Sequence, residues 1–314
     1  MAKSLRTFVS LRGAALLTLA IAFLILEQQK PLLEGVKGGD FFLLKAACGF
    51  AIMKKNARRV RKMANREDYI AVFDSGVGGI SVLRELIKQM PGENYLYFGD
   101  SANAPYGKKS TDEVRKLTMA AARFLLSRKT KALVVACNTA TAAAITHLRE
   151  QYPETIVIGI EPALKMAADR FPTGRIGIMA TLVTLREEKL AHQVERFAQA
   201  QVQRIPAPGL VELIEAGKAD SAETEALLRQ ILEPYKGKLD ALVLGCTHFP
   251  FVKDTVARIL PGTALFDGGE GTARQTQRCL AEADLLNPGS GSVTIENSLG
   301  TAQILELSHN LLKR

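Results

Sequence analysis

The chain has 314 residues, of which 47% are hydrophobic and 23% charged, a composition typical of globular proteins and sufficient for two ordinary domains. The formal net charge of +9 suggests nucleic acid as a partner, but residues 1–62 hold 12 Lys/Arg and 3 Asp/Glu, and residues 63–314 hold 29 of each sign. The body of the chain therefore has no excess of positive charge, which argues against a nucleic-acid-binding protein.

The cysteines exclude two further classes of protein. Cys48, Cys137, Cys246 and Cys279 lie far apart and form no CxxC pair and no zinc-type spacing with histidine. This pattern excludes a disulfide framework and a structural metal site, so no metal is expected. Free thiols in a chain of this size indicate a reducing compartment.

The first 62 residues form a basic and apolar leader. A charge-free run from Gly13 to Leu26 follows three basic residues, as in a signal peptide, but no small-x-small cleavage site follows it. The run has 14 residues, fewer than the roughly 18–20 of a membrane-spanning helix. A membrane anchor, a secretion signal and a dispensable extension before a start at Met63 remain open, and we favour the last. We therefore expect membrane contact only if the leader is retained, and exclude it from the fold.

From Tyr69 onwards, short apolar strands alternate with helical segments. Helices are predicted after the first strand (residues 81–90) and from about Thr111 to Ser127, where apolar residues recur at helical spacing. Predicted strands cover residues 69–74, 94–100, 132–138, 155–162, 175–181 and 241–248. Such alternation predicts an α/β fold with open parallel sheets that carry helices on both faces.

A weak internal repeat divides this body into two similar halves. Asp74 and Cys137, which end two strands of the first half, are 63 positions apart, and Thr181 and Cys246 are 65 apart. We therefore predict two similar parallel-sheet α/β domains related by a pseudo-two-fold axis, with the active site in the cleft between them. The first domain is expected to cover residues 63–163, joined by the C-terminal segment 275–314, and the second residues 164–274.

Reactive side chains follow the predicted strands, at the sheet edge where open α/β proteins bind ligands. The segments concerned are Asp74-Ser75, Cys137-Asn138-Thr139, Thr181 and Cys246-Thr247-His248, together with the loop Pro105-Tyr106-Gly107. We expect these segments to surround one site.

The glycine-rich segment from Asp74 to Gly79 resembles a nucleotide-binding loop only superficially. Ser81 stands where the dinucleotide pattern requires its third glycine, and the Gly-Lys-Ser/Thr of a P-loop is absent. Two interpretations remain: a structural turn, or a loop whose backbone N–H groups bind an anion such as a substrate carboxylate.

Cys137 and Cys246 are the strongest candidates for chemistry. A single cysteine after an apolar strand is usually an inert buried residue, but here two occupy matching contexts. Each precedes a predicted helix, whose dipole is expected to lower the thiol pKa. His248, two residues after Cys246, is placed to assist a proton transfer, whereas His147 and His192 lie in helical stretches and are expected at the surface.

The segments FDSGVGGISVL, APYG, ACNTATA, APGLVELIEAG and LGCTHFPF, spanning about 69–251, occur in the order found in glutamate racemases. The chain thus resembles this family of the aspartate/glutamate racemase superfamily. The resemblance implies cofactor-independent racemisation of glutamate, in which one thiolate removes the α-proton and the opposite thiol returns one. It implies that Cys137 and Cys246 are the two bases.

The resemblance also assigns the surrounding residues. Asp74 and His248 are expected to assist the two thiols, and Glu215 is either a further assisting acid or a solvated helix residue. One departure is that Thr181 and Thr184 are present, whereas LREEKLAHQV lacks the family's serine and tyrosine, which puts the local support of this loop in doubt. The expected substrate-binding residues are Asp74, Ser75, Tyr106, Gly107, Asn138, Thr139, Thr247 and His248.

Other functions remain possible from the sequence. An aspartate racemase would use the same thiols, a cysteine hydrolase would leave one of them idle, and a non-catalytic small-acid-binding protein tethered by the leader would need neither. The resemblance favours glutamate as the small-molecule substrate, D-glutamate supply to peptidoglycan in a bacterial cytoplasm, and a homodimer.

Overall fold

The computed structural model describes residues 64–160, 163–186 and 188–314. The expectations for the leader, residues 1–62, lie outside this described part. Within it, no helix combines the length and the apolar character needed to cross a membrane.

Strands and helices alternate along the described chain, as the sequence predicts. The strands are β1 (Tyr69–Asp74), β2 (Asn94–Gly99), β3 (Thr130–Val135), β4 (Ile156–Gly159), β5 (Arg175–Ala180), β6 (Gln201–Pro206), β7 (Ala241–Leu244), β8 (Ala264–Phe266) and β9 (Ser292–Asn297). The helices are α1 (Ile80–Gln89), α2 (Thr111–Leu126), α3 (Asn138–Gln151), α4 (Ala163–Arg170), α5 (Leu182–Arg186), α6 (Glu188–Arg196), α7 (Leu210–Glu215), α8 (Ala222–Leu232), α9 (Lys253–Ile259), α10 (Gly269–Glu282) and α11 (Ala302–Lys313). Short 3-10 helices cover Ser101–Asn103, Tyr106–Lys108, Glu233–Tyr235 and Phe249–Val252.

The strands form two parallel sheets with the same internal order. The first sheet runs β4-β3-β1-β2-β9 and the second runs β6-β5-β7-β8, and every strand pair is parallel. If the strands of each half are numbered along the chain, both sheets have the spatial order second-first-third-fourth. In the first sheet, β9 is added at the edge beside β2. The predicted fold class, two parallel-sheet α/β units, is confirmed.

The central strands are buried because helices cover both faces of each sheet. Residues 70–74 of β1 are at most 1% exposed, and residues 132–135 of β3 are fully buried, which is the reason for their near-continuous apolar sequences. The C-terminal segment returns to the first half: β9 pairs with β2, and Gln277 of α10 accepts a hydrogen bond from Gln89 of α1 at 2.7 Å. The predicted domain boundaries, 163/164 and 274/275, stay a prediction.

A buried ion pair holds this C-terminal segment at the amino ends of β2 and β3 in the first sheet. Lys131 and Glu93 lie 2.5 Å apart with side chains 0% and 1% exposed. The Lys131 ammonium also donates to the carbonyl oxygens of Arg66 and Leu285, and the Glu93 carboxylate accepts from the backbone N–H of Asn287 at 2.8 Å. Burial lowers the pKa of Lys131, and the Glu93 carboxylate opposes this effect.

Replacing Lys131 by methionine is expected to lower the free energy of unfolding by about 3–5 kcal/mol, because it leaves the Glu93 carboxylate buried without its counter-ion. Urea unfolding of the full chain measures this loss. The matched control is Lys218→Met, which removes an exposed pair with Glu223 (51% and 61% exposed) and is expected to cost less than about 1 kcal/mol. Equal losses in the two variants would contradict the structural role of the buried pair.

Candidate active site

The carboxyl ends of β1, β3, β5 and β7 meet around a cavity of about 350 Å³. The first sheet contributes the loops after β1 and β3 and the loop through Tyr106, and the second contributes the loops after β5 and β7 and helix α7. Every site residue predicted from the sequence except Asp74 lines this cavity: Ser75, Tyr106, Gly107, Cys137, Asn138, Thr139, Glu215, Cys246, Thr247 and His248.

Cys137 is the buried thiol of the cavity. It is the N-cap of α3 and accepts a hydrogen bond from the backbone N–H of Ala140 at 3.4 Å, while its Sγ donates to Ser75 Oγ at 3.5 Å. Burial, followed by the nearby Asp74 carboxylate, raises the pKa of Cys137 to about 12. The Ala140 N–H at the helix N-terminus lowers this pKa, as expected, but desolvation of the thiolate is the larger effect, so the net pKa is raised rather than lowered.

Cys246 has a different environment: its thiol contacts a histidine, and this histidine contacts a carboxylate. Its Sγ lies 3.5 Å from His248 Nδ1, and His248 Nε2 lies 2.6 Å from Glu215 Oε1. Burial opposes the charged imidazolium, but the interactions with Cys246 and Glu215 are stronger together and raise the pKa of His248 well above its usual value. The segment after Cys246 is a 3-10 helix (Phe249–Val252) before α9, so Cys246 does not cap an α-helix.

Asp74 lies behind the cavity wall, fully buried. Its carboxylate accepts hydrogen bonds from the backbone N–H of Gly76 and from Thr247 Oγ1, both at 3.0 Å. Burial raises its pKa, and His248 opposes the shift. The carboxylate therefore joins its own loop to the Cys246 loop, and the predicted contact of Asp74 with the substrate stays a prediction.

The backbone N–H groups of the glycine loop bind carboxylate side chains of the protein itself. The N–H of Gly76 donates to Asp74, and the N–H of Val77 donates to Glu215 Oε1 at 2.8 Å. A Cβ atom added at Gly76 would lie 1.9 Å from Glu215 Oε1, and one at Gly78 would lie 2.4 Å from His248 Nδ1. The expected anion site is thus filled from inside by two carboxylates, and both glycines permit a close approach of the opposite loops.

The loop through Tyr106 is held in place by the carboxylate of Asp100, which is not predicted from the sequence. The Tyr106 hydroxyl donates to Asp100 Oδ2 at 2.7 Å, and both side chains are buried. Asn103 donates to the same carboxylate at 3.0 and 3.1 Å. Across the cavity, a Cβ at Gly107 would lie 3.3 Å from Thr181, so this loop reaches the second half of the molecule.

The segment after β5, where the family pattern is incomplete, has local support of its own. Thr181 Oγ1 and Thr184 Oγ1 are 3.1 Å apart, and Thr181 also accepts from the backbone N–H of Thr184. His147 and His192 are exposed, as expected. Cys279 lies in α10, outside the lining of this cavity.

The sequence interpretation also missed Lys108 and Glu212, which line the cavity and form an ion pair of 2.8 Å. Glu212 precedes Glu215 by three positions in α7, so the two share one helix face, and this spacing was a usable signal. Ser81 was missed as well: its hydroxyl donates to the carbonyl oxygen of Thr247 at 2.8 Å and ties α1 to the Cys246 loop. Within the described residues, no group of three or more His, Cys, Asp or Glu side chains could hold a metal ion.

Known proteins resemble this chain in sequence and in structure. Residues 70–276 match the family described as Asp/Glu/Hydantoin racemase. The glutamate racemase of Clostridium acetobutylicum is 50% identical over 254 residues, which cover 80% of this chain and 99% of that protein, and the enzyme of Clostridium kluyveri is 46% identical over 256 residues, covering 80% and 100%.

Solved glutamate racemases share the arrangement of the two sheets. The Thermus thermophilus enzyme in complex with beta-chloro-D-alanine is 36% identical with a TM-score of 0.68, over 80% of this chain and 94% of that one. The Escherichia coli enzyme in complex with L-glutamate and the activator UDP-MurNAc-ala is 32% identical with a TM-score of 0.70, over 79% and 95%. With two sheets of one strand order and paired thiols at their carboxyl ends, the chain belongs to the Asp/Glu/Hydantoin racemase family.

Proposed function

We propose that the protein interconverts L- and D-glutamate without a cofactor, with Cys137 and Cys246 as the two proton-transferring groups. The observation that carries the proposal is that both thiols line one cavity, each from the end of a strand in a different sheet. The relatives that match nearly their whole length to this chain are glutamate racemases, which supports glutamate rather than aspartate as the substrate.

The reaction needs a base on one side of the α-carbon and an acid on the other. The thiolate of one cysteine removes the α-proton and becomes a thiol, and the carbanion takes a proton from the opposite thiol, which becomes a thiolate. The reverse reaction exchanges the two roles, so each turnover needs both sulfurs. A positioned thiol serves this reaction because it accepts a proton as the thiolate and donates one as the thiol.

The two sulfurs receive different assistance. His248 lies within reach of the proton on Cys246, and Glu215 orients the imidazole through the 2.6 Å contact. Cys137 has Ser75 and the backbone of Ala140 as its partners and Asp74 as the nearby charge. We therefore assign His248 and Glu215 to the Cys246 side, and Asp74, whose charge acts on the Cys137 thiol, to the Cys137 side.

Substrate binding is assigned to the polar groups of the cavity wall. These are Ser75, Asn138 and Thr139 from the first half, Thr247 and His248 from the second, and the Tyr106-Gly107 segment above them. In this proposal Asp74 also positions Thr247, whose Oγ1 donates to its carboxylate, and contributes to substrate binding from this buried position.

The proposal extends to the cellular role. D-glutamate would supply peptidoglycan synthesis, in a bacterial cytoplasm that keeps the thiols reduced. The protein would act as a homodimer of two-domain subunits divided near residues 163 and 274.

Circular dichroism of L-glutamate incubated with the full chain, with no added cofactor, tests the activity. The signal is expected to decay to zero, and an equal decay is expected from D-glutamate. Decay with L-aspartate but not with L-glutamate would keep the mechanism and change the substrate. A folded protein that racemises neither would favour a binding protein.

Cys137→Ser and Cys246→Ser are each expected to reduce racemisation by more than the roughly 10²–10⁴-fold of one acid/base group, because both thiols act in every turnover. Elimination of HX from a 3-substituted glutamate analogue needs only one proton abstraction. Each variant should therefore retain elimination from one enantiomer, and the two variants should retain opposite enantiomers.

The same variants separate a racemase from a cysteine hydrolase, which would use Cys246, His248 and Glu215 and leave Cys137 idle. An active Cys137→Ser variant, or equal loss of elimination with both enantiomers, would contradict the assignment of two bases. Cys279→Ser is the matched control and should keep its activity, because Cys279 lies outside the cavity lining.

The raised pKa of Cys137 predicts how the ligand-free protein reacts with iodoacetamide. With a pKa of about 12, the Cys137 thiolate fraction at pH 8 is about one part in 10⁴, so its alkylation should rise tenfold per pH unit without a plateau below about pH 11. Cys246, which is partly exposed beside His248, should react first at pH 7. Mass spectrometry of the labelled peptides distinguishes the two sites, and a plateau for Cys137 near pH 8 would contradict this prediction.

A further inference from the structure

The segment that carries the second thiol lacks one hydrogen-bond donor of its own. After β7 the chain turns through Cys246, Thr247 and His248 into the short 3-10 helix Phe249–Val252. The carbonyl oxygens of Cys246 and His248 each accept from the backbone N–H three residues later, both at 3.1 Å. By the same pattern the carbonyl of Thr247 would accept from residue 250, which is Pro250 and has no N–H.

Ser81 supplies the missing donor from the other half of the molecule. It lies in the first turn of α1, and its hydroxyl donates to the carbonyl oxygen of Thr247 at 2.8 Å. Both residues are buried, and a buried carbonyl without a donor is unfavourable. Loss of the Ser81 hydroxyl would therefore favour another orientation of the peptide between Thr247 and His248, whereas the Thr247 side chain keeps its own partner, Asp74.

The orientation of this peptide determines how the imidazole meets the thiol. Cys246 Sγ lies 3.5 Å from His248 Nδ1, and the peptide concerned lies between the two residues. The turn that begins α1 packs closely against it: a Cβ at Gly78 would lie 2.4 Å from His248 Nδ1 and 2.6 Å from Thr247 Oγ1. A rotation of the peptide would thus displace the imidazole relative to the thiol.

The first thiol needs no such donor from the opposite half. Cys137 is the N-cap of α3, a helix of 14 residues, and its carbonyl oxygen accepts from the N–H of Thr141 at 2.9 Å. Its thiol accepts from the N–H of Ala140 in the same turn. The segment around Cys137 is therefore held by its own helix, and the bond from Ser81 serves only the segment around Cys246.

We propose that Ser81 is a positioning residue for one half of the reaction: by bonding the Thr247 carbonyl, it holds His248 in place to assist proton transfer at Cys246 and leaves proton transfer at Cys137 unaffected. The inference rests on the proposed function and assigns a role to a residue that does not line the cavity. Ser81 acts through the peptide and touches neither the substrate nor a sulfur atom.

Elimination of HX from a 3-substituted glutamate analogue measures each thiol alone, since Cys137→Ser retains elimination by Cys246, and Cys246→Ser retains elimination by Cys137. Adding Ser81→Ala should lower the elimination kcat about tenfold in the Cys137→Ser background, with KM within about threefold, and change the Cys246→Ser background less than about twofold. The matched control is Ser308→Ala, which removes a buried hydroxyl that donates to the Ile304 carbonyl oxygen in α11 at 2.7 Å and should change neither background.

Pro250→Ala tests the physical cause, because it adds a backbone N–H where the Thr247 carbonyl lacks one. In the Cys137→Ser background, the loss caused by Ser81→Ala should shrink from about tenfold to less than about threefold when Pro250→Ala is also present, measured against Pro250→Ala alone. The comparison depends only on the difference that Ser81→Ala makes, so an effect of Pro250→Ala by itself does not affect it.

Three results would overturn the role of Ser81: equal losses in the two cysteine backgrounds, no loss in either, or a loss that is the same with and without Pro250→Ala. Failure of the proposed function looks different. If Cys137→Ser and Cys246→Ser do not retain elimination from opposite enantiomers, the assignment of two bases fails; if they do and Ser81→Ala matches Ser308→Ala, only this inference fails.

Discussion

The candidate site depends on how one carboxylate is paired. Glu215 Oε1 accepts the backbone N–H of Val77 and contacts His248 Nε2 at 2.8 and 2.6 Å, so a single oxygen joins the glycine loop of the first half to the Cys246 loop of the second. A charge with little solvent contact must be paired and hydrogen-bonded to be tolerated. Separating the halves would leave the Val77 N–H without its acceptor and would take from the Glu215 carboxylate one of its two partners. Ser81 and Asp74 add two further bonds across the same boundary, both to Thr247.

The repeated topology and the unequal sites have different physical origins. The backbone of the two halves places Cys137 and Cys246 after equivalent strands, third in each half. Neighbouring residues of the same half then make the environments unequal: Cys137 is enclosed near Asp74, with its pKa raised to about 12, whereas Cys246 is partly exposed and has His248 at 3.5 Å. Two thiols after equivalent strands therefore differ in their burial and in their hydrogen-bond partners.

Sequence patterns predicted the interior of the fold better than its margins. The six strands predicted from apolar runs are β1–β5 and β7, and their residues are largely buried. The three that were missed, β6, β8 and β9, all lie at sheet edges, where one side of the strand faces solvent and the apolar run is lost; in β9 only Asn297 is buried. At the site, the thiols and their neighbours were found because strand ends converge on one edge. Ser81 and the Lys108–Glu212 pair were missed because each acts through a contact between segments far apart in sequence. Asp100, six positions before Tyr106, was missed because no sequence pattern marks its contact with the Tyr106 hydroxyl, and the raised pKa of Cys137 depends on burial that no local pattern reports.

The glycine loop shows why a local motif can be informative and still be misread. Read alone, Ser75-Gly76-Val77-Gly78-Gly79 predicts an anion cradle, and the backbone does bind anions. The anions are Asp74 and Glu215, and the glycines are needed because Glu215 and His248 approach closer than any side chain at 76 or 78 would allow. The lack of a Cβ at these positions makes room for side chains of the opposite half of the molecule rather than for a ligand. The glycines of this loop thus allow the close approach of His248, whose Nδ1 lies 3.5 Å from the Cys246 thiol.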